Sequence, residues 1–330
     1  MHDVKRKAQP TPLSAAESSA TPRHATLDAA AIALLLLICV LLAGGQVAIK
    51  IANDGISPLL QAGLRSAAAA VLLGGFAIWR GVKLFVRDGI FGPALLAGCF
   101  FAAEFALLYP GLARTTAAHA VILLYTSPFV VAAGAHWLIP GDRLTSAKVT
   151  GLVLALAGVA IVVLGRTTPG NLEASTSGGP TLVGDLLCLA GGLAWGLLTL
   201  TIRATRLARV APERVTFNQL VISAPILCGL SLLLGEPGLT NPTPRVLGAF
   251  AFTVVFVGFI SFTTTTWLLT RYPASRVMAF LMLTPVFGVF VGHLVLGEDL
   301  SFSLLAGLVL VVTGLWFVNR PVPKLAATGA

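Results

Sequence analysis

The chain has 330 residues, of which 56% are hydrophobic and only 11% are charged, and its mean hydropathy is +0.91. This composition excludes an ordinary water-soluble domain, because the polar residues are too few to cover its surface. The net charge of +9 favours nucleic-acid binding in a soluble protein, but here the basic residues lie between apolar runs. They therefore predict membrane topology and not nucleic-acid binding.

The apolar runs predict an all-α, polytopic integral membrane protein with ten transmembrane helices. Each run is about 20 residues long, which is the length a helix needs to cross roughly 30 Å of hydrocarbon. In chain order the predicted spans are residues 29–49, 58–79, 91–112, 116–139 and 147–165, followed by 182–202, 214–235, 246–268, 274–297 and 303–319.

The polar segments divide these spans into two groups of five. Residues 1–27 are rich in Pro, Ser, Thr and Ala and contain no apolar run, so we expect a disordered cytoplasmic tail and not a cleaved signal peptide. The predicted units are then a first five-helix repeat at 28–166, an external linker at 167–181, a second five-helix repeat at 182–320 and a cytoplasmic tail at 321–330.

The distribution of Lys and Arg predicts the orientation in the membrane. With the N-terminus inside, seventeen of the 22 basic residues fall in inner segments and four fall in outer segments, namely Lys50, Arg114, Arg166 and Arg245. Only Arg65 lies within the membrane. This asymmetry predicts that both termini are cytoplasmic, that the number of spans is even, and that the protein is a multi-pass protein of the inner (plasma) membrane.

The second half of the sequence repeats the first. Residues 116–128 align with 273–285, and after one inserted residue 141–145 align with 297–301. Because each half contains an odd number of spans, the two halves are expected to cross the membrane in opposite directions. Such an inverted repeat is the unit from which many secondary transporters build an alternating-access site.

These repeated motifs resemble the EamA family of the drug/metabolite transporter superfamily, whose repeat has a long apolar run, a Pro, a Gly-Glu motif and a Gly-rich last helix. The agreement is strongest over residues 255–316 and clear over 113–163, and residues 194–196 are similar to the opening of the family's second repeat. The resemblance implies the inverted-repeat fold and transport, and it leaves the substrate open. The chain departs from the family pattern at Thr284, where many members have Glu, and at Asp142, where Gly-Glu is commoner.

Pro128 and Pro285 lie at equivalent positions in the middle of the fourth and ninth predicted spans. Each proline removes a backbone donor and so interrupts the helical hydrogen bonds. Paired interruptions in corresponding halves indicate a transporter's binding site, so we predict kinks beside a cavity. The alternative is a packing kink sealed by neighbouring helices.

Arg65 and Glu104 are the charged residues furthest from any predicted span end. An unpartnered charge at such depth costs at least about 2.5 to 3.5 kcal/mol on insertion scales, so the two are expected to meet in the outer half of a cavity. Our hypothesis is that Glu104 carries the coupling proton, while Arg65 holds its protonation state or binds a substrate carboxylate. The alternative is a structural ion pair. His119, near the outer end of span four, is a candidate for the same cluster, but interfacial hydrogen bonding is favoured over a coupling role for His119, His136 and His293.

Aromatic and polar side chains provide candidates for the cavity wall. Such a wall suits an amphipathic metabolite, such as an amino acid or an aromatic amine. The candidate aromatic residues are Tyr109, Tyr125, Trp195 and Trp267, and the candidate hydrogen-bonding residues are Gln46, Asn218, Gln219, Ser261, Thr284 and residues 263–266, among them Thr265. Taken one at a time, the aromatic residues are also typical of lipid-facing positions and interface anchors.

Two pairs of glycines are spaced by seven residues, Gly151 with Gly158 and Gly307 with Gly314. This spacing places each pair nearly on one helix face, so spans five and ten are expected to pack closely on neighbouring helices.

These features argue against several other classes of protein. The sequence has no nucleophile triad, no metal-ligand spacing and no phosphate-binding glycine loop, so an enzyme, a metal site, a bound cofactor and ATP-driven transport are not expected. The expected partners are a small-molecule substrate, the lipid bilayer and, in the coupling hypothesis, protons. A transporter of nucleotide sugars or sugar phosphates and a membrane sensor or scaffold remain as alternatives, and the oligomeric state is open.

Overall fold

The computed structural model describes residues 27–86, 88–139, 144–165, 181–272 and 274–318. Throughout these ranges the regular structure is helical, and the only β-type contact is an isolated bridge between Ile56 and Leu239. The predicted tails, nearly all of the predicted linker and the repeat residues 141–143 lie outside the described residues.

Six helices form the first half of the chain. They are α1 (Ala29–Ala52), α2 (Pro58–Trp79), α3 (Phe91–Leu112), α4 (Ala117–Leu124), α5 (Ser127–Leu138) and α6 (Ser146–Gly165). Helices α4 and α5 together occupy the fourth predicted span.

The second half contains seven α-helices, a 3-10 turn and a π-helix. They are α7 (Leu182–Ala204), the 3-10 turn Arg206–Arg209, α8 (Pro212–Leu233), α9 (Pro244–Phe252), the π-helix Thr253–Ser261, α10 (Phe262–Arg271), α11 (Ala274–Leu281), α12 (Thr284–Leu296) and α13 (Phe302–Val318). The π-helix lies in the middle of the eighth predicted span.

Counting continuous helical stretches, nine in the described residues are long and apolar enough to cross a membrane, and α13 is a further apolar helix of 17 residues. The polytopic, all-helical class is therefore confirmed. The second and third predicted spans match α2 and α3 at both ends, while α1 continues three residues beyond its predicted end.

The fourth and ninth predicted spans are each interrupted next to the proline at which a kink was predicted. Pro128 lies in the first turn of α5 and Pro285 in the first turn of α12, where a missing N–H donor costs nothing. The carbonyls freed by the interruptions find other donors. The Thr126 hydroxyl donates to the Leu123 oxygen over 2.7 Å, and the Thr284 hydroxyl donates to the Leu281 oxygen over 2.7 Å.

The two halves interleave instead of forming separate domains. Helix α3 packs on α7, α2 packs on α8, and α1 packs on α12. Helices α6 and α13, the last of each half, make backbone contact through their glycines. A Cβ atom at Gly158 would lie 2.8 Å from the Gly307 oxygen, and one at Gly314 would lie 2.6 Å from the Gly151 oxygen. The close packing predicted for these glycines is confirmed.

Arg214 at the start of α8 binds the segment between α2 and α3. Its guanidinium donates to the two Asp88 oxygens over 2.6 and 3.0 Å and to the Leu84 carbonyl over 3.1 Å. The Arg214 hydrogen bonds lower the pKa of the Asp88 carboxyl. These contacts hold the segment against the second half of the chain.

Replacing Gly158 with Ala is expected to destabilise the protein by about 1 to 3 kcal/mol, because the new methyl group overlaps the Gly307 backbone. The measurement is thermal unfolding of the purified protein in detergent. Gly229→Ala in α8 is the matched control, since a Cβ there meets no atom within 4 Å. Equal melting temperatures for the two variants would contradict the close packing of α6 on α13.

Asp88→Asn is expected to lower the melting temperature at neutral pH, because it removes the charge that Arg214 binds. The pKa of Asp88 is lowered in the folded state, so its stabilisation is complete above the ordinary carboxyl pKa and is lost as the pH falls through the lowered value. The difference in melting temperature between wild type and variant should therefore shrink on acidification. Asp54→Asn, at an exposed carboxyl in the α1–α2 loop, is the control and should show a smaller difference at neutral pH.

Candidate functional site

A cavity of about 520 Å³ lies between the two halves of the chain. Its wall is built from α1, α2 and α3 of the first half and from α7, α8, the π-helix, α10 and α11 of the second. The connection between α7 and α8 also contributes, through residues 207, 208 and 210. The cavity therefore reaches the end of the bundle at which α7 ends and α8 begins. Its polar lining residues are Arg65, Glu104, Thr199, Thr216, Gln219, Ser261 and Thr265.

Arg65 lies in the cavity wall with few partners. Its side chain is almost fully buried, at 8% exposure. The Nε atom donates to the Thr253 carbonyl at the start of the π-helix over 3.4 Å, and Cζ lies 4.8 Å from the centre of the Phe105 ring. The Nη1 atom is buried and has no hydrogen-bond partner among the described residues. The guanidinium thus keeps capacity to bind a further group.

Glu104 lines the same cavity from α3 and is 6% exposed. Arg65 and Glu104 are therefore brought together, as expected from their depths. The structural ion pair that was the alternative interpretation is not formed, because none of the ion pairs within 4 Å in the described residues joins these two side chains. The guanidinium and the carboxyl group therefore face the same cavity without a direct contact between them.

An aromatic column on α3 forms part of this wall. Phe101 and Phe105 line the cavity with ring centres 4.7 Å apart, and Tyr109 continues the column 5.6 Å from Phe105. Tyr109 is fully buried and lies beyond the cavity. On the second half Trp195 lines the cavity and packs edge-to-face on Tyr125, with ring centres 5.6 Å apart.

Several predicted site residues lie beside the cavity instead of lining it. The Tyr125 hydroxyl donates to the carbonyl of Leu281, which is itself a lining residue. Thr284 is buried and bonded to the same carbonyl, and Pro128 and Pro285 are not in the lining. The interruptions at the prolines thus support the cavity wall from behind.

Three other predicted site residues lie away from the wall. Asn218 is outside the lining, whereas its neighbour Gln219 lines the cavity, because adjacent residues of a helix point about 100° apart. Trp267 is 37% exposed and stacks on the Arg271 guanidinium at 4.6 Å, beside a separate small pocket. Gln46 on α1 is outside the lining and keeps a buried Oε1 atom without a partner in the protein.

His119 does not join the Arg65 and Glu104 cluster. Its Nδ1 lies 3.2 Å from an Asp185 oxygen, and the Thr115 hydroxyl donates to the same carboxylate over 2.5 Å. This cluster connects the start of α4 to the start of α7, at the end of the bundle away from the α7–α8 connection. His119 thus makes a hydrogen bond near a helix end, as favoured from the sequence, and its candidate place in the Arg65 and Glu104 cluster is wrong.

His136 and His293 make the expected hydrogen bonds near helix ends. The Leu144 N–H donates to Nδ1 of His136 over 3.4 Å, and Nδ1 of His293 lies 2.8 Å from the Glu298 carbonyl. Neither residue lines the cavity.

The sequence interpretation missed Phe101, Phe105, Thr199 and Thr216. The two phenylalanines were predictable, because a spacing of four places them on the face of α3 that also carries Glu104. The two threonines gave no signal of their own, since Thr in a membrane helix commonly bonds to its own backbone.

An all-helical bundle with spanning-length apolar helices and a polar cavity between its halves is the architecture of a membrane carrier. The model of the EamA-like transporter family matches residues 29–164 and 182–320. The chain belongs to this family. It is a multi-pass membrane transporter, whose surroundings are a lipid bilayer and whose cargo is a small molecule.

Individual proteins are also similar to this chain. An uncharacterized transporter of Bacillus subtilis, YvbV, is 30% identical over 198 residues, which cover 58% of this chain and 61% of that protein. A probable amino-acid metabolite efflux pump of Salmonella typhimurium is 28% identical over 86% of this chain and 92% of its own length. A crystal structure with 22% identity superposes with a TM-score of 0.59, covering 88% of this chain and 98% of the other, and shows a shared fold.

A cysteine placed at Thr216 is expected to react rapidly with a water-soluble thiol reagent, because the residue lines the cavity. The background should lack the four native cysteines. The matched control is Leu227→Cys on the same helix, where the side chain is fully buried, and it should react at least about tenfold more slowly, since burial excludes the reagent. Equal rates would mean that the cavity is closed to water.

Proposed function

We propose that this chain is a secondary transporter that exports small amphipathic metabolites, such as amino acids or related amines, by alternating access. The observation that carries the proposal is the cavity between the halves, in which Arg65 and Glu104 are both buried and are not paired with each other. A solute with an anionic group, a cationic group and an apolar body matches the guanidinium, the carboxylate and the rings of Phe105 and Trp195.

The charges favour one carboxylate over a phosphate as the anionic group of the solute. Arg65 is the only cationic side chain among the described residues that line the cavity. A nucleotide sugar or sugar phosphate carries more negative charge and calls for several Lys or Arg in contact with it. The Salmonella relative is named for the efflux of amino-acid metabolites, which supports the same cargo class and an outward direction.

Alternating access requires two related halves, and the helix packing supports ten spans arranged as two inverted repeats. Helix α3 packs on α7, and its counterpart in the other half, α9 with the π-helix, packs on α1. Likewise α5 packs on α7, and its counterpart α12 packs on α1. Exchanging the two halves therefore converts the contacts that α3 and α5 make with α7 into the contacts that their counterparts make with α1. This arrangement supports the predicted division into two five-helix repeats.

Contacts between helix ends support the predicted crossing directions. Tyr272 at the end of α10 donates to Asp28 at the start of α1 over 2.8 Å, as expected if both lie on the cytoplasmic side. Glu298 after α12 instead contacts Lys50 at the other end of α1. With both termini cytoplasmic, in a plasma membrane, the cavity at the α7–α8 connection opens to the cytoplasm, the side from which an exporter loads.

The test is transport by the purified protein in liposomes. A panel of amino acids, amines, dyes and a sugar phosphate is loaded with and without an imposed pH gradient. The proposal predicts saturable movement of zwitterionic or amphipathic compounds and no movement of the sugar phosphate. Binding of a compound without movement across the bilayer would favour a sensor instead.

Glu104→Gln is expected to slow transport by about tenfold or more, because a contact with a charged group contributes about 1.5 to 3 kcal/mol. It is also expected to abolish the dependence on the pH gradient if Glu104 carries the coupled proton. Glu213→Gln is the control, since this carboxyl is similarly buried on α8 and lies outside the cavity lining. A pH dependence that survives Glu104→Gln would end the coupling hypothesis.

A further inference from the structure

Six buried side-chain atoms in the described part of the chain have no hydrogen-bond partner in the protein. They belong to Gln46, Asn53, Gln61, Arg65, Ser66 and Tyr109. All six residues lie on α1, α2 or α3, counting Asn53, which ends α1. A buried polar group without a partner costs free energy, and native proteins retain few of them. Their concentration in one region indicates a functional reason, because local rules are broken mainly at functional sites.

Three of these residues are joined to each other through the backbone. The Ile49 carbonyl accepts the Asn53 N–H over 2.9 Å and the Gln61 side-chain amide over 3.5 Å. The Asn53 amide group in turn donates to the Tyr109 carbonyl over 3.2 Å. These bonds use only part of each side chain. Gln61 Oε1, Asn53 Oδ1 and the Tyr109 hydroxyl remain unpaired.

This polar group continues the cavity away from its opening. Arg65 lies one helical turn from Gln61 on α2, and Phe105, beneath the Arg65 guanidinium, contacts the Tyr109 ring. Arg65 and Phe105 line the cavity, whereas Gln61 and Tyr109 are fully buried beyond it. The polar group therefore begins where the cavity ends.

A set of contacts between the halves closes the far end, and we call it the Glu298 latch. The Glu298 carboxylate accepts the N–H groups of Ala117 and Ala118 over 2.7 and 3.0 Å, at the N-terminus of α4, where the helix dipole favours a negative charge. Lys50 donates to Glu298 over 3.5 Å and to the Thr115 carbonyl over 2.6 Å. Lys50 precedes Asn53 by three residues, about one helical turn, so the latch and the polar group lie at the same end of α1.

We propose that Gln61, Asn53 and Tyr109 form an outer subsite of the transport path, which receives the polar end of the substrate when the Glu298 latch opens. The proposal rests on the proposed transport function. Two amide oxygens suit an ammonium group, and the Tyr109 hydroxyl beside Arg65 suits a carboxylate. A zwitterion leaving the inner cavity thus finds hydrogen-bond partners at the next depth instead of crossing an apolar barrier.

Tyr109→Phe tests the subsite, because it removes the unpaired hydroxyl and keeps the ring on Phe105. The melting temperature of the substrate-free protein should stay equal or rise, since a group without a partner is removed. The transport rate should fall by about fivefold or more, the size of one lost hydrogen bond.

The matched control is Tyr272→Phe, whose hydroxyl donates to Asp28 outside the cavity. This variant should lower the melting temperature and leave transport per folded protein unchanged. Transport at the wild-type rate in Tyr109→Phe would overturn the subsite. So would a clear loss of melting temperature in Tyr109→Phe, which would show a hydroxyl with a structural partner.

A labelling experiment tests the subsite without any transported compound. In a background lacking native cysteines, Gln61→Cys should react slowly with a water-soluble thiol reagent. Adding Glu298→Gln, which removes the charge bound by Lys50 and the α4 N-terminus, should raise that rate by about tenfold or more. Leu73→Cys, fully buried on the same helix, should stay unreactive in both backgrounds.

The two experiments separate the subsite from the transport function. If no compound on the panel is transported but Gln61→Cys still becomes reactive in the Glu298→Gln background, the proposed cargo is wrong and the water-accessible path to the outer subsite is supported. If compounds move and the Gln61→Cys rate does not change, the outer path fails and the transport function stands.

Discussion

The fold is organised around an arginine that the bilayer does not readily accept. Arg65 sits on a membrane-spanning helix, and a guanidinium at such depth must find partners, water or a ligand. Its partners in the protein are one carbonyl and one aromatic ring. The carbonyl belongs to Thr253, the first residue of a π-helix, a form that occurs mainly at functional sites. The Arg65 guanidinium and the Glu104 carboxyl group both line the cavity between the halves and provide its charged or ionisable groups.

The helix packing differs between the α6–α13 pair and the end of the bundle that carries Glu298. Helices α6 and α13 meet through backbone contacts at their glycines, and such contacts have little freedom to rearrange because interiors are close-packed. The end of the bundle that carries Glu298 is instead held by charged and hydrogen-bonded groups, chiefly Glu298 and Lys50. Polar contacts of this kind can exchange for water at modest cost. Backbone contacts therefore hold one part of the bundle and polar contacts hold another, and the opening proposed above requires only the polar contacts to change.

The positions within each predicted span were reliable guides to depth and poor guides to direction. Arg65 and Glu104 meet in one cavity, because both lie at similar depths on helices that neighbour each other. His119 lies nearer the end of its predicted span and faces Asp185 instead. Trp267 faces Arg271. Depth follows from counting residues at a fixed rise, whereas direction depends on which neighbouring helix each face meets.

The sequence by itself determined the helices, their interruptions at Pro128 and Pro285 and the close approach of the glycine-bearing helices. These features are local, since they follow from the length of apolar runs, the missing N–H donor of proline and the missing side chain of glycine. Only the tertiary structure decided that Gln219 and not Asn218 faces the cavity, and that Tyr109 is buried beyond it with an unpaired hydroxyl. Those outcomes depend on how helices of opposite halves interleave, and contacts between residues far apart in the chain leave no periodic pattern in the sequence.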